Sequence, residues 1–179
     1  FICITPAGFL LTTWTTQLLK MLGFSVKESL TAMTIISIGV PVGCFLNSLV
    51  SDMGGRKMPL AILGVLAAVT ALIFGGMKGL VMLTLLGFTV TVFNMALNFT
   101  LFSYTAESYP TRMRNTATGF HNGLARLAVS GSQFFIPMIH AAHGFAGIFT
   151  TVAMLLFLPV IPLLLWGQRT GGKSLEEIE

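Results

Sequence analysis

Six long apolar runs divide this sequence, and their length limits the folds that it can adopt. A helix needs about 17 to 25 apolar residues to cross the hydrocarbon core of a bilayer. Lipid offers no partner to backbone amides, so each run must satisfy its own hydrogen bonds as a helix, and the runs are too uniformly apolar for barrel strands. The sequence therefore predicts an all-α integral membrane protein. The six predicted transmembrane helices cover residues 2–19, 30–50, 59–76, 80–102, 116–139 and 145–166.

The shortage of charge supports the same class. Only 9% of the residues are charged, whereas an ordinary soluble domain has about 25%. The basic residues are dispersed among the apolar runs and form no basic face, which argues against a nucleic-acid partner. Cys3 and Cys44 lie inside apolar runs, where a thiol behaves as a small hydrophobe, so we infer no disulfide. Because the chain starts at Phe1 within an apolar run and lacks a signal-peptide pattern, we expect it to be part of a longer protein.

The distribution of lysine and arginine predicts the orientation, because cytoplasmic connections retain these residues. They are concentrated in the connection after the second run, the connection after the fourth run, and the tail: Arg56, Lys57, Arg112, Arg114, Arg169 and Lys173. The alternate connections have Lys20, Lys27 and Lys78. We expect residues 1–166 to form one transmembrane bundle with both ends in the cytoplasm, and residues 167–179 to form a cytoplasmic tail. The membrane is then a plasma membrane, or the bacterial cytoplasmic membrane if the source is prokaryotic.

The inventory of reactive side chains argues against an enzyme. The sequence has no cluster of histidine, cysteine or carboxylate residues at metal-ligand spacing, no nucleophile with a positioned base, and no glycine-rich phosphate loop. We therefore expect neither a metal nor a cofactor. A channel is an alternative, but a lone intramembrane arginine, Arg126, supplies neither a ring of charge nor a carbonyl filter.

Two charged connections stand out in a chain so poor in charge. In the loop SDMGGRKMPL, a tight turn and cytoplasmic retention explain Asp52, Gly55, Arg56 and Lys57. In the stretch YTAESYPTRMRN, retention does not explain Glu107, because a carboxylate adds nothing to the positive-inside bias.

Glu107 is predicted to lie near the cytoplasmic mouth, within reach of Arg56, Arg112 or Arg114. Ion pairs in a partly desolvated bundle end are stronger than exposed pairs, and they can form in one conformation and break in another. The pattern predicts a conformational latch.

These two motifs resemble those of the major facilitator superfamily. The loop from Asp52 to Lys57, D-x-x-G-R-K, is similar to the signature loop of that superfamily in its second-half copy. The run from Glu107 to Arg114, E-x-x-P-T-x-x-R, is similar to the matching element of its sugar-porter, organic-ion and aromatic-acid branches. One departure is Ser48, because the family usually has glycine four residues before the loop aspartate.

The resemblance implies the C-terminal six-helix half of a twelve-helix transporter, in which two halves rock about a substrate site near the bilayer midplane. It also implies that Arg56 pairs with Glu107 when the cytoplasmic side is closed, and that Arg114 contributes to this pairing. The residues to which the resemblance gives this role are called the cytoplasmic latch: Asp52, Gly55, Arg56, Lys57, Glu107, Arg112 and Arg114. The expected partners are the N-terminal half of the same transporter, the lipid bilayer and a small-molecule substrate. A proton is a candidate coupling ion.

Arg126 is the most informative single residue, because an arginine deep in a spanning helix costs about 2.5 kcal/mol or more unless it faces a cavity or a partner. It follows Pro110 by 16 residues, and this spacing resembles that of an arginine in anion-carrying relatives. A guanidinium can bind a carboxylate through two parallel hydrogen bonds. The alternative is a purely structural pairing with an acidic residue of the other half or with backbone carbonyls.

Weaker candidates for substrate binding are Asn94, Asn98, Trp14, Gln17 and Asn122. The two asparagines of the fourth run share a face and suit either a ligand or a neighbouring helix. Trp14 suits either a cavity wall or an interfacial anchor.

Small residues predict where helices approach closely. Gly39 and Gly43 on the second run, and Gly119 and Gly123 on the fifth, have the four-residue spacing of such contacts.

The sequence as a whole predicts a secondary active transporter of a small organic anion, such as an aromatic or other carboxylate, working by alternating access. A transporter of a sugar or another neutral or cationic metabolite is the first alternative. A non-transporting, truncated membrane protein is the second.

Overall fold

The computed structural model describes residues 1–50 and 56–166. Every regular element in these two ranges is an α-helix, which confirms the predicted all-α class. The helices are α1 (Ile4–Met21), α2 (Val26–Val50), α3 (Lys57–Gly76), α4 (Leu80–Ser108), α5 (Thr111–Phe157) and α6 (Val160–Trp166). Asp52 and Gly55 of the cytoplasmic latch, and the predicted tail at 167–179, lie outside the described residues.

Helix α5 contains the predicted fifth run and the first part of the sixth. Its helical geometry is interrupted at Gly144, where φ is 65° and ψ is −158°. The positive φ lies in a region that glycine adopts without the steric cost that a Cβ atom would bring. The predicted boundary therefore falls at one glycine, and the sixth run continues into the short helix α6.

Four stretches of the described chain are long and apolar enough to cross a membrane. They are α2, α3, α4 and the 55-residue stretch Thr111–Leu165. Helix α1 is not among them, because the polar sequence TTWTTQ from Thr12 to Gln17 lies at its centre.

Close packing of α2 on α4 depends on two glycines. A Cβ atom on Gly43 would lie 2.5 Å from the carbonyl oxygen of Val92, and one on Gly39 would lie 2.9 Å from that of Phe88. Real side chains do not fit at such distances, so the small-residue prediction is confirmed for α2. Among the described residues no atom lies within 4 Å of a Cβ placed on Gly119 or Gly123. The same prediction is wrong for α5 within this bundle, because that face of α5 meets no neighbour here.

Helix α3 packs between α4 and α5. Phe74 of α3 contacts Phe149 of α5 with ring centroids 4.3 Å apart, and Phe145 lies 4.8 Å from Phe149. The outer face of α2 presents large apolar side chains, with Phe45 69% exposed and Leu49 62% exposed. Apolar residues inside and outside alike are what a lipid-embedded bundle requires.

A capping box begins α2. The Ser25 backbone N–H donates to Glu28 Oε2 at 2.9 Å, and the Glu28 backbone N–H donates to Ser25 Oγ at 3.2 Å. The spacing S-x-x-E is visible in the sequence and satisfies backbone donors that a helix start leaves free. It sets the start of α2 four residues before the predicted run.

Candidate functional site

Arg56 and Glu107 form an ion pair where two helices meet. Arg56 immediately precedes α3, and Glu107 is the penultimate residue of α4. Arg56 Nε donates to Glu107 Oε1 at 2.8 Å, and the two side chains are 22% and 27% exposed. Such partial burial strengthens the pair relative to a fully exposed one, because fewer waters screen it. The pair ties the start of α3 to the end of α4.

Lys57 makes a second link from the start of α3. Its Nζ donates to the backbone carbonyl oxygen of Leu164 in α6 at 3.1 Å. A lysine near the end of a helix can satisfy a terminal carbonyl that has no partner within its own helix. The loop motif assigned Lys57 to the predicted latch, but it gave no indication of a contact with α6.

The other two arginines of the predicted latch are placed differently. Arg112 is exposed. Arg114 is half-buried, and its Nε is buried without a hydrogen-bond partner in the described structure. Of the three arginines considered for Glu107, the structure therefore brings Arg56 to it. The role of this pair in opening and closing stays a prediction.

Arg126 lies on the open side of α5. It is exposed, and no hydrogen bond or ion pair of its side chain occurs within the described part of the chain. Asn122, one turn earlier, is half-buried, and its Nδ2 donates to the Thr118 carbonyl oxygen at 3.1 Å. The guanidinium is thus available to a group outside this bundle.

Trp14 and Gln133 join α1 to α5 farther along the same helix. The indole Nε1 of Trp14 donates to Gln133 Oε1, and Gln133 Nε2 donates to the Val129 carbonyl oxygen of its own helix at 3.4 Å. Trp14 is half-buried and Gln17 is exposed. Sequence reading missed Gln133. The sequence could have indicated it, because Gln133 is a polar residue seven positions after Arg126 and therefore lies on the same helix face.

Asn94 and Asn98 interact with each other within α4. Asn98 Nδ2 donates to the Asn94 carbonyl oxygen at 2.8 Å, and Asn94 itself is only 1% exposed. A Cβ on Gly8 of α1 would lie 2.5 Å from Asn94 Oδ1. The prediction that Asn94 contacts substrate does not fit this burial, because α1 covers it. The packing alternative fits better.

A second polar contact joins α4 to α2, where Thr100 Oγ1 donates to Asn47 Oδ1 at 2.6 Å. Thr100 is fully buried, and its Oγ1 also lies 2.9 Å from the Ala96 carbonyl oxygen, so the single hydroxyl proton is shared between the two acceptors. Hydrogen bonds between helices of this kind hold bundles together where no water competes. This contact was not predicted from the sequence.

His121 lies beside a cavity of about 420 Å³ at the end of α4, lined by Tyr104, Ser108 and Tyr109 among others. Its ring stacks on that of Phe1, with centroids 5.7 Å apart. His140 is half-buried and His143 is exposed near the break at Gly144.

An all-helical array of apolar spans, with an ion pair at one end and an exposed arginine that is unpaired among the described residues, indicates an integral membrane protein. Comparison with known families supports this class and narrows it. The family model described as "Sugar (and other) transporter" matches residues 16–179. The chain belongs to this family, which is part of the major facilitator superfamily.

Individual relatives agree with this assignment. YyaJ of Bacillus subtilis, to which metabolite transport is attributed, is 27% identical over 90% of this chain and 36% of its own length. The niacin transporter NiaP of Acinetobacter baylyi is 26% identical over 93% of this chain and 38% of its own length. The inner membrane metabolite transport protein YdjE of Escherichia coli is 26% identical over 95% and 38%. The chain thus spans less than half the length of these relatives.

A solved structure shares the fold. The crystal structure of a double-tryptophan mutant of XylE superposes with a TM-score of 0.77 at 20% identity, covering 99% of this chain and 42% of that one. With the apolar helices, these relatives make the chain a multi-pass membrane protein.

Proposed function

We propose that this chain is the C-terminal six-helix half of a secondary active transporter that carries a small organic anion by alternating access. The family membership and the shared fold support a transporter. The match to less than half of each relative supports a second half that completes the substrate cavity. The N-terminal half of the same protein is the proposed partner.

Six crossings account for the helices. The stretch Thr111–Leu165 has 55 residues, more than twice the about 20 needed for one crossing. The break at Gly144 divides it into two. Together with α2, α3 and α4, and with α1 as a polar span that faces the bundle, this makes six. Both ends of the chain are then cytoplasmic, in agreement with the basic connections, and a bacterial inner membrane is the proposed location.

Arg126 carries the proposal for the substrate. An exposed guanidinium without a partner in its own bundle, within an apolar stretch, needs an acceptor from a substrate or from the other half. A carboxylate is the acceptor whose geometry matches the guanidinium fork. Gln17, Asn122 and Asn98 are the further polar side chains proposed to assist. Asn98 is half-buried, whereas Asn94 is buried.

The name of one relative suggests a probe. NiaP of Acinetobacter baylyi is a niacin transporter by name, and niacin is an aromatic carboxylate. Nicotinate and nicotinamide share one ring and differ in charge, so they separate charge recognition from ring recognition. Uptake of each by the full-length transporter, in wild type and in Arg126→Lys, tests the proposal. Selective loss of nicotinate uptake supports it, and unchanged nicotinate uptake in the variant contradicts it.

A neutral sugar is the second candidate substrate, favoured by the description of the family model. If a labelled sugar is taken up and substitution of Arg126 leaves this uptake unchanged, Arg126 has a structural role.

Proton coupling is proposed to depend on the other half or on a histidine, because all six acidic residues of this chain lie outside the predicted runs or in the tail. Unaltered proton dependence after neutralising every intramembrane acid of the other half would contradict the first option.

A further inference from the structure

The contact between Trp14 and Gln133 is a directed hydrogen bond between two helices, in addition to apolar packing. The Gln133 side-chain amide has a partner at each end, because its Oε1 accepts from the indole and its Nε2 makes a long hydrogen bond of 3.4 Å to the Val129 carbonyl oxygen. The indole is attached to the backbone through Cβ, so a hydrogen bond at its single N–H restricts the plane of the ring from the other end. The ring remains half-buried, with part of it still accessible.

The position of this contact relates it to Arg126. Arg126 and Gln133 follow Asn122 by four and eleven residues, close to one and three turns of a helix with about 3.6 residues per turn. The three side chains therefore lie along one face of α5. Seven residues separate Arg126 from Gln133, about 10 Å along the axis. One small acid can bridge that separation, because arginine and tryptophan both extend far from their backbones.

We infer that Gln133 positions the indole of Trp14 as the wall of a subsite for the ring of an aromatic carboxylate whose charged end is bound by Arg126. This inference rests on the proposed function and adds a specificity element to it. Gln133 acts through Trp14 and is a positioning residue. A fixed indole face favours a flat aromatic ring over a puckered saturated ring of the same size, because offset stacking needs two planes.

The test uses the full-length transporter in lipid nanodiscs and two acids of matched size, benzoate and cyclohexanecarboxylate. Calorimetry gives the affinity of each acid. Wild type is expected to prefer benzoate by about five-fold. Gln133→Leu removes the acceptor, and we expect it to abolish most of that preference while the affinity for cyclohexanecarboxylate stays within about two-fold. Gln133→Glu retains an acceptor oxygen and should retain the preference. Trp14→Leu should match Gln133→Leu, and the double variant should add nothing.

A measurement without ligand complements this one. Fluorotryptophan incorporated into the protein gives a fluorine resonance for Trp14, assigned by its loss in Trp14→Leu, and this resonance should shift in Gln133→Leu. The inference is overturned if the Trp14 resonance does not shift in Gln133→Leu, or if this variant keeps the preference for benzoate. It is also overturned if the variant binds both acids more weakly by the same factor. Failure of both acids to bind wild type would instead refute the proposed carboxylate substrate, and the inference with it.

Discussion

Arg56 Nε lies 2.8 Å from Glu107 Oε1, although the two residues are 51 positions apart in the chain. The pair joins the start of α3 to the end of α4, and Lys57 beside it reaches α6 at Leu164. Three helix ends are therefore tied together at one side of the bundle. We propose that these contacts are made and broken when the two halves of the transporter rock during transport.

Charge reversal tests this pair. Glu107→Arg should reduce transport, because it places two like charges together. Adding Arg56→Glu should recover part of it, with a coupling free energy of about 1 kcal/mol. The measurement is uptake at matched membrane expression. Adding Arg112→Glu instead is the matched control, because Arg112 is exposed and makes no hydrogen bond to Glu107 within the described residues. If transport recovers neither when Arg56→Glu nor when Arg114→Glu is added to Glu107→Arg, the latch hypothesis is contradicted.

Substitution of Arg126 tests whether its guanidinium recognises an anion through two parallel hydrogen bonds. Arg126→Lys keeps the charge but loses the paired hydrogen bonds, so uptake of a transported carboxylate should fall about ten-fold or more. Arg126→Ala should abolish it. The control is Lys78→Ala, which removes an exposed positive charge between α3 and α4 and should leave uptake unchanged. A carboxylate transported equally well by all three variants would exclude Arg126 from the substrate site.

Gly43→Ala tests the contact of α2 with α4. The new Cβ would meet the Val92 carbonyl oxygen at 2.5 Å, and overpacking of this kind costs about 1 to 3 kcal/mol. The thermal unfolding midpoint of the purified full-length protein should fall. Gly76→Ala is the control, since nothing lies within 4 Å of its Cβ position. Equal midpoints for the two variants would show that α2 and α4 do not approach this closely.

The hydrogen bond from Thr100 to Asn47 should contribute to stability. Thr100→Val leaves the amide of Asn47 without this donor, and Asn47→Leu leaves the hydroxyl with only its own helix to bond. A double-mutant cycle on the unfolding of the full-length protein should give a coupling of about 0.6 kcal/mol, the usual size for polar pairs between membrane helices. Strictly additive effects would mean that the two side chains do not interact.

The sequence by itself determined the class of this protein. Each apolar run must form a helix in lipid whatever it packs against, and each basic connection affects orientation in the same independent way. The all-α fold and the family motifs around Arg56 and Glu107 could therefore be predicted without coordinates. The capping box of Ser25 and Glu28 was equally local and could have been found. The boundary at Gly144 was nearly located, because the short connection HAAHG separates the fifth apolar run from the sixth in the sequence.

Only the tertiary structure decided which faces of the helices meet. Gly39 and Gly43 have the same spacing as Gly119 and Gly123, yet only the first pair touches a neighbouring helix in this bundle. Asn94 is buried under α1, whereas Arg126 is exposed on α5. The spacing of residues fixes the face of a helix on which they lie. The identity of the helix opposite that face depends on how all the helices pack, and that information is spread over the whole chain.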